Sequence, residues 1–189
     1  MNLLDNAIIF ATQAHSGTFR KGTQIPYIVH PLEVAAIASR MTDDAAVIAA
    51  AVLHDVLEDT DTTKEQLEKA FGQRVARLVG ADSEDKREER PAAETWEIRK
   101  RETLDAIQKT SREEQIIILA DKLSNMRSIY QDYTQIGDEL FKRFNVKEKA
   151  KHAWYYGGVA ERLDKVNDTN AFKEYVALFQ KVFGNQAES

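Results

Sequence analysis

The sequence predicts an all-α fold, and its composition and the spacing of its apolar residues are the observations that indicate it. The 189 residues include 3 prolines and 8 glycines, and the chain is rich in Ala, Leu, Glu, Lys and Gln, which favour helices. In several segments apolar residues recur every three or four positions, as expected for helices that bury one face. The length suits one domain over residues 1–189, folded as a helical bundle.

The elements of the N-terminal half follow from apolar spacing and from helix caps. The predicted segments are, in order, a helix over 3–14, a polar loop with glycines over 17–27, a helix that begins at 30–31 and a third helix over 44–57. Thr62 or Thr63 is expected to cap a fourth helix, with Glu65 or Gln66 as its reciprocal partner. Gly72 separates that helix from a short fifth one.

The C-terminal half contains one clear shift in composition. Residues 81–95 are polar, densely charged and include a proline, so we predict a solvated loop, with a mobile flap as the alternative. Ser111 and Glu114 have the spacing of a capping box ahead of the segment QIIILADKLSNM. Further helices are predicted over 96–107, 136–144, 146–163 and 171–183, and residues 184–189 are expected to fray.

Charge and cysteine content exclude several classes of partner and site. The formal net charge is −5 and the pI about 5.5, which argues against binding to nucleic acid or to an anionic membrane surface. A small phosphorylated ligand is still compatible with a local basic pocket. The chain has no cysteine, so disulfides and thiolate metal sites are excluded. Since no signal peptide or transmembrane stretch is recognisable, we expect a cytoplasmic protein.

The stretch AVLHDVLEDT, residues 51–60, places ionisable side chains in an otherwise apolar segment. These side chains are His54, Asp55, Glu58 and Asp59. On a continuous helix, Glu58 would lie over His54 and Asp59 over Asp55. Burying such charges without a partner is costly. A divalent metal ion would compensate them, because imidazole and carboxylate are ordinary ligands of first-row ions.

Two further positions complete a predicted metal site. His30 lies between two apolar runs, and Asp121 interrupts the apolar stretch IIILADKL. We therefore predict that His30, His54, Asp55 and Asp121 hold one divalent ion. Taken singly, His30 could be a hydrogen-bonded structural histidine, and Asp121 could pair with Lys122 or an arginine. Neither alternative accounts for the HDVLED motif together with the other two positions.

Three blocks of the sequence resemble a known family of enzymes. They are AHSGTFRKGTQIPYIVHPLEVA (14–35), AAVLHDVLEDT (50–60) and ILADKLSNMRSI (118–129). The combination of HxGxxRK, HDxxED and DKLxN resembles the HD-domain metal-dependent phosphohydrolases, and more narrowly the hydrolase domain of RelA/SpoT-type alarmone enzymes and their small stand-alone relatives. With the helices between them, these blocks cover most of the chain.

The resemblance implies a reaction and roles for the acids. The family hydrolyses the 3′-pyrophosphate of guanosine tetra- or pentaphosphate, and its single ion, usually Mn²⁺, would be held by the four ligand positions predicted above. It also implies that Glu58 and Asp59 serve the attacking water, with Glu58 as the first candidate for the base. The alternative for this acidic pair is an exposed cap of the next helix.

The resemblance also implies substrate contacts. It assigns Arg20 to stacking on the base and Lys21 to the same pocket, whereas an ordinary exposed basic loop is the alternative. Asn125 shares the helical face of Asp121 and could bind a substrate phosphate or, alternatively, the backbone, while Lys122 is expected to point elsewhere. The helical segment around Tyr155 and Tyr156 is predicted to line the pocket or to enter the core, with a core position preferred for at least one of them.

The sequence departs from the alarmone hydrolases in two blocks that shape the surroundings of the substrate. These regions read LVGADSEDKREER and ETWEIRKRET, in which only Glu94, Arg99 and Lys100 match loosely. Two alternatives to the alarmone activity therefore stay open. One is an HD-family phosphatase that acts on nucleoside monophosphates or other phosphate esters, and the other is a non-catalytic nucleotide-binding regulator that retains the ion. His15 is expected to fix the Arg20 loop by a hydrogen bond rather than to bind a second ion.

Overall fold

The computed structural model describes residues 1–80 and 89–184, and over these ranges the secondary structure is helical. The helices are α1 (Leu3–Ala14), α2 (Val29–Ala38), α3 (Ala45–Leu53), α4 (Val56–Asp59), α5 (Lys64–Gly80), α6 (Ala92–Ile107), α7 (Arg112–Ile136), α8 (Lys149–Arg162) and α9 (Asn170–Phe183), with a 3₁₀ segment (Gly137–Arg143) after α7. Extended pairing in the described ranges is limited to an isolated bridge between Phe19 and Pro26. The predicted all-α class is confirmed.

Helix caps form where the sequence predicts them. The Ser111 hydroxyl accepts from the Glu114 amide, and the Glu114 carboxylate accepts from the Ser111 amide, which completes the capping box of α7. Of the two alternatives for α5, the reciprocal pair is Thr63 and Gln66. Gly72, at φ +83°, kinks α5 at the predicted break, because the left-handed region is open to glycine.

The prediction of one continuous third helix over 44–57 is wrong, because the helix is interrupted at His54 and Asp55. α3 ends at Leu53 and the short α4 begins at Val56. Asp55 lies at φ −93° and ψ −4°, far from the helical ψ of about −42°, so the chain turns at the His54–Asp55 pair. The two side chains therefore lie at the junction of two helices rather than on one continuous helical face.

Two boundaries in the C-terminal half also differ from the prediction. α6 begins at Ala92, inside the loop predicted over 81–95, while residues 81–88 lie outside the described part of the chain. The predicted helix over 136–144 is a 3₁₀ segment, and α7 continues as far as Ile136. Gly137, at φ +58°, ends α7, since a positive φ cannot continue a right-handed helix. Of the predicted frayed tail, residues 185–189 are not described.

The core forms where α7 and α3 pack against the remaining helices. α7 contacts α2, α3 and α9, while α3 also contacts α1, α2 and α5. α3 is buried from Ala49 to Leu53, and α7 is buried from Gln115 to Asp121. Such packing brings α2, the end of α3 and the middle of α7 to one place. Within the described residues, no helix combines the length and apolar character needed to cross a bilayer.

Candidate active site

Side chains from α2, α7 and the α3–α4 junction converge at one buried point. Ligand atoms of His30, His54 and Asp121 all lie within 4.8 Å of one another. Nε2 of His54 is 2.9 Å from Asp55 Oδ2, and Nε2 of His30 is 3.6 Å from the same oxygen. Asp121 Oδ1 is 3.1 Å from His30 Nε2 and 3.7 Å from His54 Nε2. The structure thus brings together the four side chains that the sequence nominated as metal ligands.

Hydrogen bonds outside the cluster determine which nitrogen of each histidine faces it. Nδ1 of His54 lies 2.9 Å from the carbonyl oxygen of Ala51, which can only accept, so Nδ1 donates. Nδ1 of His30 lies 2.9 Å from Ser124 Oγ, and the Ser124 hydroxyl itself donates to Glu33 Oε2 at 2.8 Å. When it is neutral, each imidazole therefore directs the lone pair of Nε2 into the cluster.

A lone pair directed at carboxylate oxygens is repelled unless a positive charge lies between them. Nε2 of His54 is buried and has no hydrogen-bond partner among the described residues. Burial alone would lower the pKa of His54, yet the nearby carboxylates of Asp55 and Asp121 raise it well above its usual value. Burial would raise the pKa of Asp55, but the charge of the adjacent His54 lowers it. The cluster therefore favours a cation, and its nitrogen and oxygen donors fit a divalent metal ion.

Lys122 lies against the cluster, contrary to the prediction that it points elsewhere. Its ammonium group forms an ion pair with Asp121 Oδ2, which is the alternative considered for Asp121 from the sequence. Burial would raise the pKa of Asp121, but the charge of Lys122 and the nearby imidazoles of His30 and His54 hold it well below its usual value. The prediction failed because a long, flexible lysine stem can fold back from the neighbouring helical position.

Asn125 connects the cluster to the loop that carries Arg20. Its Nδ2 donates to Asp121 Oδ1 at 2.6 Å, while its Oδ1 accepts from Arg20 Nη2 at 3.0 Å. The side-chain amide thus bonds to side chains rather than to the backbone. This arrangement orients the guanidinium of Arg20, which also lies 5.8 Å from the ring centroid of Tyr27.

Tyr27 is a site residue that the sequence analysis did not single out. Its hydroxyl oxygen is 2.6 Å from Asp55 Oδ2 and 2.9 Å from Asp59 Oδ2. Burial, followed by the charges of these two carboxylates, raises the pKa of Tyr27, so the hydroxyl stays protonated. The hydroxyl proton of Tyr27 is thereby shared between the carboxylates of Asp55 and Asp59. The sequence signal that could have identified Tyr27 is its position three residues before His30, on the loop that carries Arg20.

His15 does not make the predicted hydrogen bond through its ring. Neither ring nitrogen has a hydrogen-bond partner in the described ranges, and the imidazole packs with its centroid 4.9 Å from that of Tyr27. The loop is fixed instead by the main-chain carbonyl of His15, which accepts from the Thr18 hydroxyl at 2.7 Å. Because the spacing of residues does not reveal which atom of a residue bonds, this difference was outside the reach of sequence reasoning.

One cavity opens from the cluster, and a second cavity adjoins it. The inner one has a volume of about 170 Å³, and Glu58, Asp59, Lys100 and Lys122 contribute to its polar wall. The outer one has a volume of about 380 Å³ and combines basic with apolar and aromatic residues, namely Arg20, Lys21, Arg143, Ile129, Leu140, Phe144 and Tyr156. Arg20, Tyr27 and Asn125 line both cavities, so the two are adjacent.

The loosely matching block of the sequence supplies part of this wall. Lys100 lines the inner cavity, with its ammonium 4.9 Å from the ring centroid of Tyr155. Arg99 is buried instead and donates from Nε to Thr95 at 3.2 Å. Tyr155 is buried yet borders the inner cavity, while Tyr156 borders the outer one, so both neighbouring tyrosines contribute to the pocket.

An all-helical fold with this cluster of histidines and carboxylates, beside acids and a basic pocket, defines a metal-dependent phosphohydrolase. The sequence profile described as the HD domain matches residues 7–145. The chain belongs to the HD-domain family.

Relatives of known name agree with this assignment. Guanosine-3′,5′-bis(diphosphate) 3′-pyrophosphohydrolase MESH1 of Danio rerio is 39% identical over 137 residues, which are 68% of this chain and 73% of that protein. A guanosine-3′,5′-bis(diphosphate) 3′-pyrophosphohydrolase of Aquifex aeolicus is 31% identical over 91% of this chain and 23% of its own length. GTP pyrophosphokinase rsh of Brucella ovis is 38% identical, and the match covers 67% of this chain but 17% of that protein.

Two solved structures share the fold over most of the chain. A metazoan ortholog of SpoT, described as hydrolysing ppGpp, has a TM-score of 0.75 at 29% identity, with 96% of each chain covered. The protein lmo0812 from Listeria monocytogenes EGD-e has a TM-score of 0.72 at 30% identity, with coverage of 82% of this chain and 99% of that one.

Proposed function

We propose that this protein hydrolyses the 3′-pyrophosphate of guanosine tetra- or pentaphosphate with the help of Mn²⁺, and releases pyrophosphate. The observation that carries the proposal is the position of the histidine–aspartate cluster, beside a small polar cavity that adjoins a wider, partly apolar one. The names of the Danio rerio and Aquifex aeolicus relatives support the same substrate. An acidic chain without cysteine also fits our expectation of a cytoplasmic enzyme.

The outer cavity suits a nucleoside. A guanidinium can stack on a base, and Arg20 is held by Asn125 and lies near the Tyr27 ring. Phe144 and Ile129 offer apolar surface to the same space, while Lys21 borders it and donates to Asn145 Oδ1 at 2.8 Å. A base in this cavity would direct its sugar phosphates toward the inner one.

The inner cavity suits the phosphates and the reaction. His30, His54, Asp55 and Asp121 would hold the ion, which supplies charge neutralisation at the phosphoryl group and lowers the pKa of water. Glu58, half-buried in the cavity wall, would take a proton from the attacking water.

Other residues of the wall would support this step. Asp59, which Tyr27 holds by its hydroxyl, assists Glu58 in orienting the water. Lys100 and Lys122 add positive charge, which stabilises the negative charge that develops on the leaving pyrophosphate.

A substrate panel with Mn²⁺, in which pyrophosphate and orthophosphate are measured separately, tests the proposal. The substrates are guanosine tetraphosphate, its adenosine analogue and nucleoside monophosphates, and a His54→Ala variant serves as the metal-deficient control. We expect pyrophosphate from guanosine tetraphosphate and none from the control. Orthophosphate from monophosphates alone would identify a phosphatase. Ion binding without turnover of any substrate would identify a regulator, and either result overturns the proposal.

A further inference from the structure

The orientation of His30 depends on a hydrogen bond from the opposite side of its ring. Nδ1 of His30 donates to Ser124 Oγ, and the Ser124 side chain is buried. Ser124 follows Asp121 by three residues on α7. One helical turn therefore supplies both Asp121, a nominated ligand, and the hydroxyl that orients His30, a second nominated ligand. An imidazole with a fixed Nδ1–H is a better-oriented and more basic ligand through Nε2.

Glu33 determines which way the Ser124 hydroxyl points. A serine hydroxyl has one proton, and here it is donated to Glu33 Oε2 at 2.8 Å, so the lone pairs of Oγ are left for His30. Glu33 lies one turn beyond His30 on α2, and the bond is strengthened by the charge of the carboxylate. Without that carboxylate, the hydroxyl could turn its proton toward His30 and favour the tautomer that cannot present a lone pair from Nε2.

Glu33 is in turn held by a salt bridge that reaches the last helix. Arg127 Nη1 donates to Glu33 Oε1 at 3.0 Å, and its Nε and Nη2 bind both oxygens of Glu174, on α9, at 2.7 and 2.8 Å. These three side chains are partly exposed, at 37 to 43% of their surface. A guanidinium fork of this kind fixes its partners in position more firmly than a single bond does.

From this continuous chain of bonds we infer that Ser124 and Glu33 are positioning residues for His30 and set the affinity of the site for its ion. Arg127 and Glu174 hold Glu33 in place from α7 and α9. The inference rests on the metal site of the proposed function, but it concerns residues that the sequence motifs and the proposed reaction did not use.

The test is the affinity of the purified, metal-free chain for Mn²⁺, measured by isothermal titration calorimetry. Ser124→Ala should weaken binding about tenfold or more, which is the usual effect of removing a hydrogen-bond partner from a ligating histidine. Ser124→Thr keeps the hydroxyl and should restore most of the affinity. Ser39→Ala, directly after the end of α2 and away from the cluster, is the control and should bind as the unchanged chain does.

A double-variant cycle separates positioning from simple charge attraction. Glu33→Gln alone should weaken binding, but in the Ser124→Ala background it should add little, because the relay is already broken. If Glu33→Gln weakens binding equally in both backgrounds, or if Ser124→Ala binds as tightly as the unchanged chain while circular dichroism shows a folded protein, the inference is wrong. If the unchanged chain binds no Mn²⁺ at all, the proposed function is wrong as well. This result differs from the two above, so failure of the inference and failure of the proposed function are distinguishable.

Discussion

His54 and Glu58 show how neighbouring residues of one motif acquire different roles. His54 is buried at the end of α3 and has its Nε2 directed at carboxylates, whereas Glu58 lies half-buried on α4 in the wall of the inner cavity. The turn at Asp55 separates them, so the motif divides into a buried part suited to an ion and a part in contact with solvent. An acid in the second position can handle water without binding the ion itself.

Glu58→Gln should abolish turnover while it leaves ion binding largely intact. Glutamine keeps the shape of the side chain but cannot accept a proton, and loss of a general base usually costs about 10² to 10⁴ in rate. Steady-state kinetics with guanosine tetraphosphate and calorimetry with Mn²⁺ measure the two effects separately. Glu68→Gln, a similarly partly exposed glutamate on α5, is the control. Near-normal turnover by Glu58→Gln would show that the base is another residue.

At the scale of the helices, the caps were predictable and the breaks were less so. The pairs Ser111–Glu114 and Thr63–Gln66 form as the spacing indicated, because capping depends on residues three apart. The turn at Asp55 has no comparable local signal. The chain turns where the buried run of α3, Ala49 to Leu53, ends.

α3 also depends on a cap whose strength varies with pH. Asp44 Oδ1 accepts from the Ala46 amide at 2.8 Å, and both Asp44 oxygens accept from Arg74 on α5, at 3.1 and 2.6 Å. The bonds from Arg74, followed by the one from Ala46, lower the pKa of Asp44 from 3.8. The folded chain therefore binds a proton here less readily than the unfolded chain does. The resulting stabilisation is present above about pH 4 and is lost as the pH falls through the lowered value.

Asp44→Ala should lower the free energy of unfolding by about 1 kcal/mol at neutral pH, the usual cost of losing an N-cap. Asp44→Asn keeps a cap acceptor but loses the charge, so its deficit should be smaller and should shrink below about pH 4. Urea unfolding of each variant across this pH range measures both effects, with the exposed neighbour changed as Asp43→Asn for comparison. A deficit of Asp44→Asn that grows toward acid pH would contradict the assigned role of the charge.

On the scale of the whole molecule, the site is built from parts that are distant in sequence. The HD motif, the apolar flanks of His30 and the aspartate within IIILADKL identified the cluster, since each places a polar group where the core is expected. The same reasoning could not find the bond between Tyr27 and Asp59, and it could not decide whether Lys122 pairs with Asp121 or points elsewhere. These depend on rotamers and on helix packing, which local patterns do not encode.

Because the nominated ligands come from α2, α7 and the α3–α4 junction, an ion bound to them should stabilise the whole fold. An ion that binds only the folded chain adds about 2.7 kcal/mol at a concentration one hundred times its Kd. For a chain of this size, that corresponds to a rise in Tm of roughly 5–10 °C. Thermal unfolding followed by circular dichroism, with and without Mn²⁺, measures the rise.

His54→Ala should lose this rise, because it removes one of the nominated ligands. His152→Gln is the matched control, since His152 is also buried but bonds to the carbonyl of Val146 at 2.8 Å, among aromatic rings. Its Tm without the ion is expected to fall, yet the rise on adding Mn²⁺ should persist. If Mn²⁺ raises the Tm of His54→Ala as much as that of His152→Gln, the ion stabilises the fold from another site. The ion would then not bind at the cluster that contains His54.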